Sequence, residues 1–257
     1  YDLTMHYFRR AAAQNVVYVE PFFDPQAHTS RGIAFDTVIN GIARAQSDAE
    51  AKLGVESNLI MCFLRDMSAE SAAEHLAMAE PHLDKLIGVG LDSDEKDNPP
   101  SKFADVFARA RELGLKLTMH CDVNQKDIVE HIRECLELIE VDRIDHGINA
   151  LESDELCTEI ARRGLGLTVC PVSNRFVVQN LTGDEIRAML ARGMKATINS
   201  DDPAYFRAYM NENLKVLVDD AGFTHDELLT LTRNAFEVSW LSDERKEHYL
   251  NRLAQVC

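Results

Sequence analysis

Paired cysteines, basic residues, long apolar runs and targeting segments are all scarce or missing in this chain, and each absence closes off a class of protein. Cys62, Cys121, Cys135, Cys157, Cys170 and Cys257 are scattered and never form a C-x-x-C pair. That spacing fits free thiols in a reducing compartment better than a disulfide framework. Cys62, Cys121 and Cys170 lie inside apolar runs and read as buried small hydrophobes, so no cysteine is given a catalytic role. Lys and Arg number 27 against 43 Asp and Glu, a net charge of −16 with no basic run. Phosphate contacts need clustered cations, so a nucleic-acid partner is disfavoured. No apolar stretch approaches the roughly 20 residues of a membrane span, and no cationic leader followed by an apolar core opens the chain. What remains is a globular, cytoplasmic protein that leaves room for self-association into a homo-oligomer. At 257 residues, 46% of them hydrophobic, it is long enough to bury a large core.

The apolar residues are organised as an alternation. Short runs rich in Val, Ile, Leu and Thr predict strands over 16–23, 58–64, 86–93, 115–122, 143–149, 165–174 and 195–201. Between them, 35–53, 69–83, 102–113, 126–139, 153–163 and 184–192 carry helical periodicity. Ser68, Ser101 and Ser153 stand where helix N-caps belong, and Gly114, Gly164 and Gly193 just past helix ends. Regular β-then-α order predicts a parallel sheet with crossover helices. Residues 2–14 read as a helix leading into the first visible strand, which implies a strand before it. An α/β (β/α)8 TIM barrel whose first strand is absent from this chain accounts for seven strands; an open doubly wound sheet is the competing architecture. Residues 211–257 are helical in pattern and extend the last barrel unit, so 1–257 is expected to be a single barrel domain with a C-terminal helical extension.

A barrel places its active site at the carboxyl ends of its strands, and polar residues gather there. The strand ends read Glu20-Pro21-Phe22-Phe23-Asp24, Asp92-Ser93-Asp94-Glu95, His120-Cys121-Asp122, Asp145-His146-Gly147, Cys170-Pro171-Val172-Ser173-Asn174 and Asn199-Ser200-Asp201-Asp202-Pro203. His120 and His146 could each be a core histidine satisfied by a backbone group, and Asp-Pro is also an ordinary turn signal. Together, His120 and Asp201 suit a mononuclear metal site, because zinc accepts imidazole nitrogen and carboxylate oxygen and lowers the pKa of bound water to about 7. His146 would orient that water or stabilise charge as it attacks, and Asp202 would face the substrate.

Three motifs carry a resemblance: Arg143-Ile144-Asp145-His146-Gly147, then Leu167-Thr168-Val169-Cys170-Pro171-Val172-Ser173-Asn174, then Asn199-Ser200-Asp201-Asp202-Pro203-Ala204-Tyr205-Phe206. In this order they resemble the adenosine/adenine deaminase branch of the amidohydrolase superfamily, over essentially the whole chain. The resemblance implies a (β/α)8 barrel with one zinc ion per site, held by a His-x-His pair on the first strand, a histidine on the fifth and an aspartate on the eighth. His120 and Asp201 match the last two. It also implies that His146 assists attack by hydroxide and that Asp202 hydrogen-bonds the imidazole-side nitrogen of a purine. Ser93 stands near where the family has a small residue against the purine edge.

Two departures qualify the match. No His-x-His occurs in the chain, so the strand missing from the count is the one that should bring two ligands. The family's fifth-strand His-Ala-Gly-Glu is here His120-Cys121-Asp122-Val123-Asn124-Gln125, without its proton-donating Glu. Attack at an aromatic carbon requires protonation of the ring and of the leaving amine. Asp122 is the nearest candidate acid, or else it orients the His120 ring from behind. The wording around Asn199 to Asn213 is closer to adenine deaminases than to adenosine deaminases, so the expected reaction is hydrolytic deamination of adenine or an N6-substituted adenine. The alternatives are an adenosine deaminase, another amidohydrolase, or a non-catalytic barrel without a complete metal site.

Overall fold

The computed structural model describes residues 1–255, so Cys257 lies outside the described residues. The chain divides into two compact units, Tyr1–Met119 with Leu138–Val141, and His120–Glu137 with Asp142–Cys257.

In the first unit, β2 (Phe22–Phe23), β4 (Leu59–Leu64), β5 (Leu86–Asp92) and the start of β6 (Lys116–Cys121) pair in that order, all parallel. Residues Leu59 to Phe63 of β4 are all buried. A run without polar alternation is what a strand covered on both faces requires. The strand expected over 16–23 splits into β1 (Tyr18–Val19) and β2, with β1 beside β3 (Glu56–Ser57). Pro21 sits at the break; it has no N–H to donate, although its carbonyl accepts from Ile60 N at 3.0 Å. Helices α1 (Asp2–Ala13) and α3 (Phe35–Leu53) close one apolar cluster through Met5, Phe8, Ala45 and Ala49. Between them lies the short α2 (Pro25–Thr29), and α4 (Ala69–Ala79) starts at Ser68, whose hydroxyl accepts from Ser71 N. Helix α5 (Ala104–Glu112) is entered through a 3-10 turn, Pro100–Phe103, rather than capped by Ser101.

In the second unit β7 (Arg143–His146), β8 (Gly166–Val169) and β9 (Lys195–Ile198) are parallel neighbours in sequence order. Helix α6 (Ile128–Glu134), continued by a π-helical turn Cys135–Ile139, precedes β7. Helix α7 (Asp154–Arg163) joins β7 to β8, capped by Ser153 on Leu156 N and ended by Gly164 at φ 65°. All three strands expected here stop early, the one over 195–201 at Ile198. The one over 165–174 ends at Val169 because Pro171 opens helix α8 (Pro171–Val178), where its fixed φ favours a first helical turn. The one over 143–149 ends at His146 and turns into the 3-10 segment Ile148–Glu152. Gly147, at φ 73°, makes that turn; a Cβ there would stand 2.7 Å from Leu167 Cδ2. Its N–H donates to Cys121 O at 3.0 Å, tying the end of β7 to the end of β6. Helix α9 (Gly183–Ala191) leads to β9, and α10 (Pro203–Phe206) follows it. The helical tail is α11 (Met210–Ala221), α12 (His225–Glu237) and α13 (Asp243–Leu253). Asn234 of α12 donates to Ala196 O of β9 at 2.9 Å.

Every described strand pairing is parallel, and helices separate β2, β4, β5 and β6 in the chain and likewise β7, β8 and β9, so the α/β class expected from the alternation holds. Among the described residues no helix is long and apolar enough to cross a membrane.

Candidate active site and metal centre

Strand β7 is buried along its whole length, yet three of its four residues are Arg143, Asp145 and His146. Burying such groups costs several kcal/mol unless they are paired, so their partners define the site. The Asp145 carboxylate divides its oxygens. Oδ1 accepts from Thr168 Oγ1 at 3.0 Å and lies 3.6 Å from Arg143 Nε, while Oδ2 lies 3.4 Å from His120 Nδ1. Arg143 in turn lies with its guanidinium carbon 4.1 Å from the centre of the Trp240 ring.

His146 follows with its backbone at φ 60°, a left-handed conformation uncommon for a residue with a Cβ. Its Nε2 is 2.9 Å from Asp122 Oδ1, its Nδ1 is buried without a hydrogen bond, and its ring meets that of His120 edge-on at 5.0 Å between centroids. Burial works against the imidazolium, but the Asp122 carboxylate and Cys170 outweigh it and hold the His146 pKa well above its ordinary value. Burial pushes the Cys170 thiol up to about 11, despite the opposing pull of His146.

Asp201 also takes a left-handed backbone, φ 54°, at the turn after β9. Its carboxylate joins the His146 ring and the Cys170 sulfur, with ligand atoms all within 4.8 Å of one another. Imidazole nitrogen, sulfur and carboxylate oxygen that close form a donor set zinc accepts, and the buried, unbonded Nδ1 of His146 fits a site that takes a ligand. Asp202, one residue on, is exposed and precedes Pro203 at the start of α10. The loop carrying Asp122 is locked in place. Asn149 accepts from Asn124 N and donates to Asn124 Oδ1, each at 2.9 Å. That lock borders an open cleft of about 570 Å³ lined also by Gln125, Ile128 and Glu152.

The structure therefore brings His120, Asp122, His146 and Asp201 together within the second unit. Ser93 belongs to the first unit, exposed at the end of β5 with φ 76°. Phe22 and Phe23 form β2 there, and Asp24, Cys62 and Asp92 bring ligand atoms within 4.8 Å of one another. Asp122 stands on His146, and it is Asp145 that faces His120. Sequence reasoning passed over Asp145 and Cys170. Asp145 did leave a signal, an acidic residue beside Ile144 in a strand with no exposed face; Cys170 left none, since its burial is equally that of a small hydrophobe.

Histidines and carboxylates at the carboxyl ends of parallel strands define an enzyme of the amidohydrolase type. The family model described as adenosine deaminase matches residues 1–256, and the chain belongs to that family. It is 50% identical over 257 residues to an adenine deaminase from Rhodospirillum rubrum, covering 99% of this chain and 76% of the relative. Among solved structures, adenine deaminase from Arthrobacter aurescens superposes with a TM-score of 0.94 at 41% identity, over 99% of this chain and 78% of that one. An amidohydrolase from Burkholderia ambifaria with bound Zn gives 0.92 at 27% identity, over 99% and 71%. The chain is thus an aminohydrolase of α/β fold, of the (β/α)8 type expected from its strand order.

Proposed function

We propose that this chain is an adenine deaminase, hydrolysing the amino group of adenine or an N6-substituted adenine to give hypoxanthine and ammonia or an amine. The observation that carries the reading is its 50% identity to an adenine deaminase over nearly its full length, with the His120, His146 and Asp201 motifs aligned on one set of strand ends. A single deaminase domain over 1–257 is supported by the one family model spanning 1–256. A cytoplasmic location is the reading that suits cysteines scattered without a C-x-x-C pair.

Zinc is the expected metal, held by His120 and Asp201; when bound it would make water a nucleophile at neutral pH. His146, held as the imidazolium by Asp122, orients the attacking water and stabilises charge as it adds to the amino-bearing carbon, and Asp122 takes up the proton that the water gives up. Asp122 is half-exposed and can pass a proton to the ring nitrogen and then to the leaving amine. Asp202 hydrogen-bonds the imidazole side of the base.

The test is metal analysis of the full-length gene product, followed by ammonia release with adenine, an N6-substituted adenine and adenosine. About one zinc per chain with turnover of adenine supports the proposal. Zinc near one equivalent without turnover of any purine sinks it.

A further inference from the structure

We infer that Asn149 is a positioning residue for the proton-carrying carboxylate: its buried amide holds the loop after β6 so that Asp122 stays on His146. The inference rests on the deaminase reading, because it needs Asp122 to take part in the reaction.

Contacts on both sides of Asp122 tie the end of β6 to the turn after β7. Gly147 N donates to Cys121 O at 3.0 Å, and Asn149 bonds Asn124 twice at 2.9 Å. Between these ties, His146 Nε2 meets Asp122 Oδ1 at 2.9 Å. The Asn149 side chain is buried and its amide is fully used: Oδ1 accepts from Asn124 N, while Nδ2 donates to Asn124 Oδ1 and to Glu152 Oε1. Turned over, the amide would set its N–H2 against the Asn124 N–H and its oxygen against two acceptors, so the three contacts select one orientation. Asn124 has a left-handed backbone, φ 58°, a conformation that persists where the surrounding contacts determine it.

Packing holds less of this loop. Val123 is buried, but Asn124, Gln125 and Asp127 line the open cleft of about 570 Å³, and the Asp122 side chain is partly open to solvent. A reacting group so placed takes its position from the backbone that carries it. Proton transfer needs hydrogen-bond reach, so a drift of about 1 Å at Asp122 is costly.

Two substitutions in the full-length gene product test this. Asn149→Ala removes all three contacts, and Asn149→Asp keeps the shape while setting a second carboxylate against Glu152. Each is expected to lower kcat for adenine about 10–100-fold, with KM and zinc content near the parent's. The same substitutions are then made on Asp122→Asn. Where the group to be positioned is already gone, each should cost no more than about a further twofold. A residue that merely stabilises the fold lowers activity equally in both backgrounds. The full loss repeated on Asp122→Asn, parent-like kcat in both single variants, or loss of zinc in both overturns the inference alone. If one variant does not fold, the other decides; if neither folds, Asn149 is a structural residue and the inference falls. A zinc-loaded parent that turns over no adenine overturns the deaminase reading, and parent-like turnover in Asp122→Asn overturns the role of Asp122 in it; either takes the inference with it.

Discussion

His146 and Asp122 meet at 2.9 Å, Nε2 to Oδ1, across the ends of two consecutive strands. The imidazole is buried while the carboxylate is partly open to solvent, so the pair joins the interior of the site to its mouth.

Replacing Asp122 by Asn removes a charge that, together with Cys170, outweighs burial and holds His146 well above its ordinary pKa of 6.5. The expected result is a downward move of the His146 titration, read by NMR on labelled histidine. The sign for stability follows: a raised imidazole pKa adds stability that is fully present below 6.5 and fades as pH rises through the raised value. Asp122→Asn should flatten that dependence, and turnover should drop about 10²–10⁴-fold if the carboxylate also transfers protons. An unmoved His146 titration would show that another group controls it.

The adjacent aspartates should fail differently. Asp201 gathers with His146 and Cys170, whereas Asp202 is exposed beside Pro203. Asp201→Ala is expected to remove zinc, and Asp202→Asn to keep it while kcat/KM falls by the worth of one charged hydrogen bond, about 1.5–3 kcal/mol. Equal metal content in both variants would refute the division of roles.

Gly147→Ala puts a Cβ 2.7 Å from Leu167 Cδ2 at φ 73°. Strain and overpacking together should cost about 2–4 kcal/mol in denaturant unfolding. Because the Gly147 N–H anchors the turn beneath His146 on Cys121 O, turnover should also fall. A loss below about 0.5 kcal/mol would mean the turn relaxes freely.

Away from the site, Arg187, together with the Thr224 cap at the start of α12, holds the Glu227 carboxyl down to about 2 from 4.5. A depressed carboxylate contributes stability that is present above 4.5 and lost as pH falls through about 2. Glu227→Gln should remove that part of the acid dependence, and Thr224→Ala should cost about 1 kcal/mol at neutral pH. Identical acid-unfolding curves for parent and Glu227→Gln would contradict the pairing.

Much of this was legible in the chain itself. Period and punctuation set the βα order, because a parallel strand buried on both faces must be an apolar run such as Leu59 to Phe63. Charged residues at the ends of such runs could only be exceptions with a purpose, which singled out His120, His146 and Asp201. Ends of elements were less legible: Pro171 and Gly147 stop their strands, yet the apolar residues beyond them read as more strand, since periodicity is blind to the φ values that start a helix or a left-handed turn.

Pairing was decided only by tertiary structure. From spacing alone Asp122 served either as acid or as the partner of His120, and Asp145 was one residue among a motif. The fold gives Asp122 to His146 and Asp145 to His120. Sequence separation fixes which strand carries a side chain; which carboxylate meets which imidazole depends on register and rotamer, and at these distances an ångström changes the chemistry.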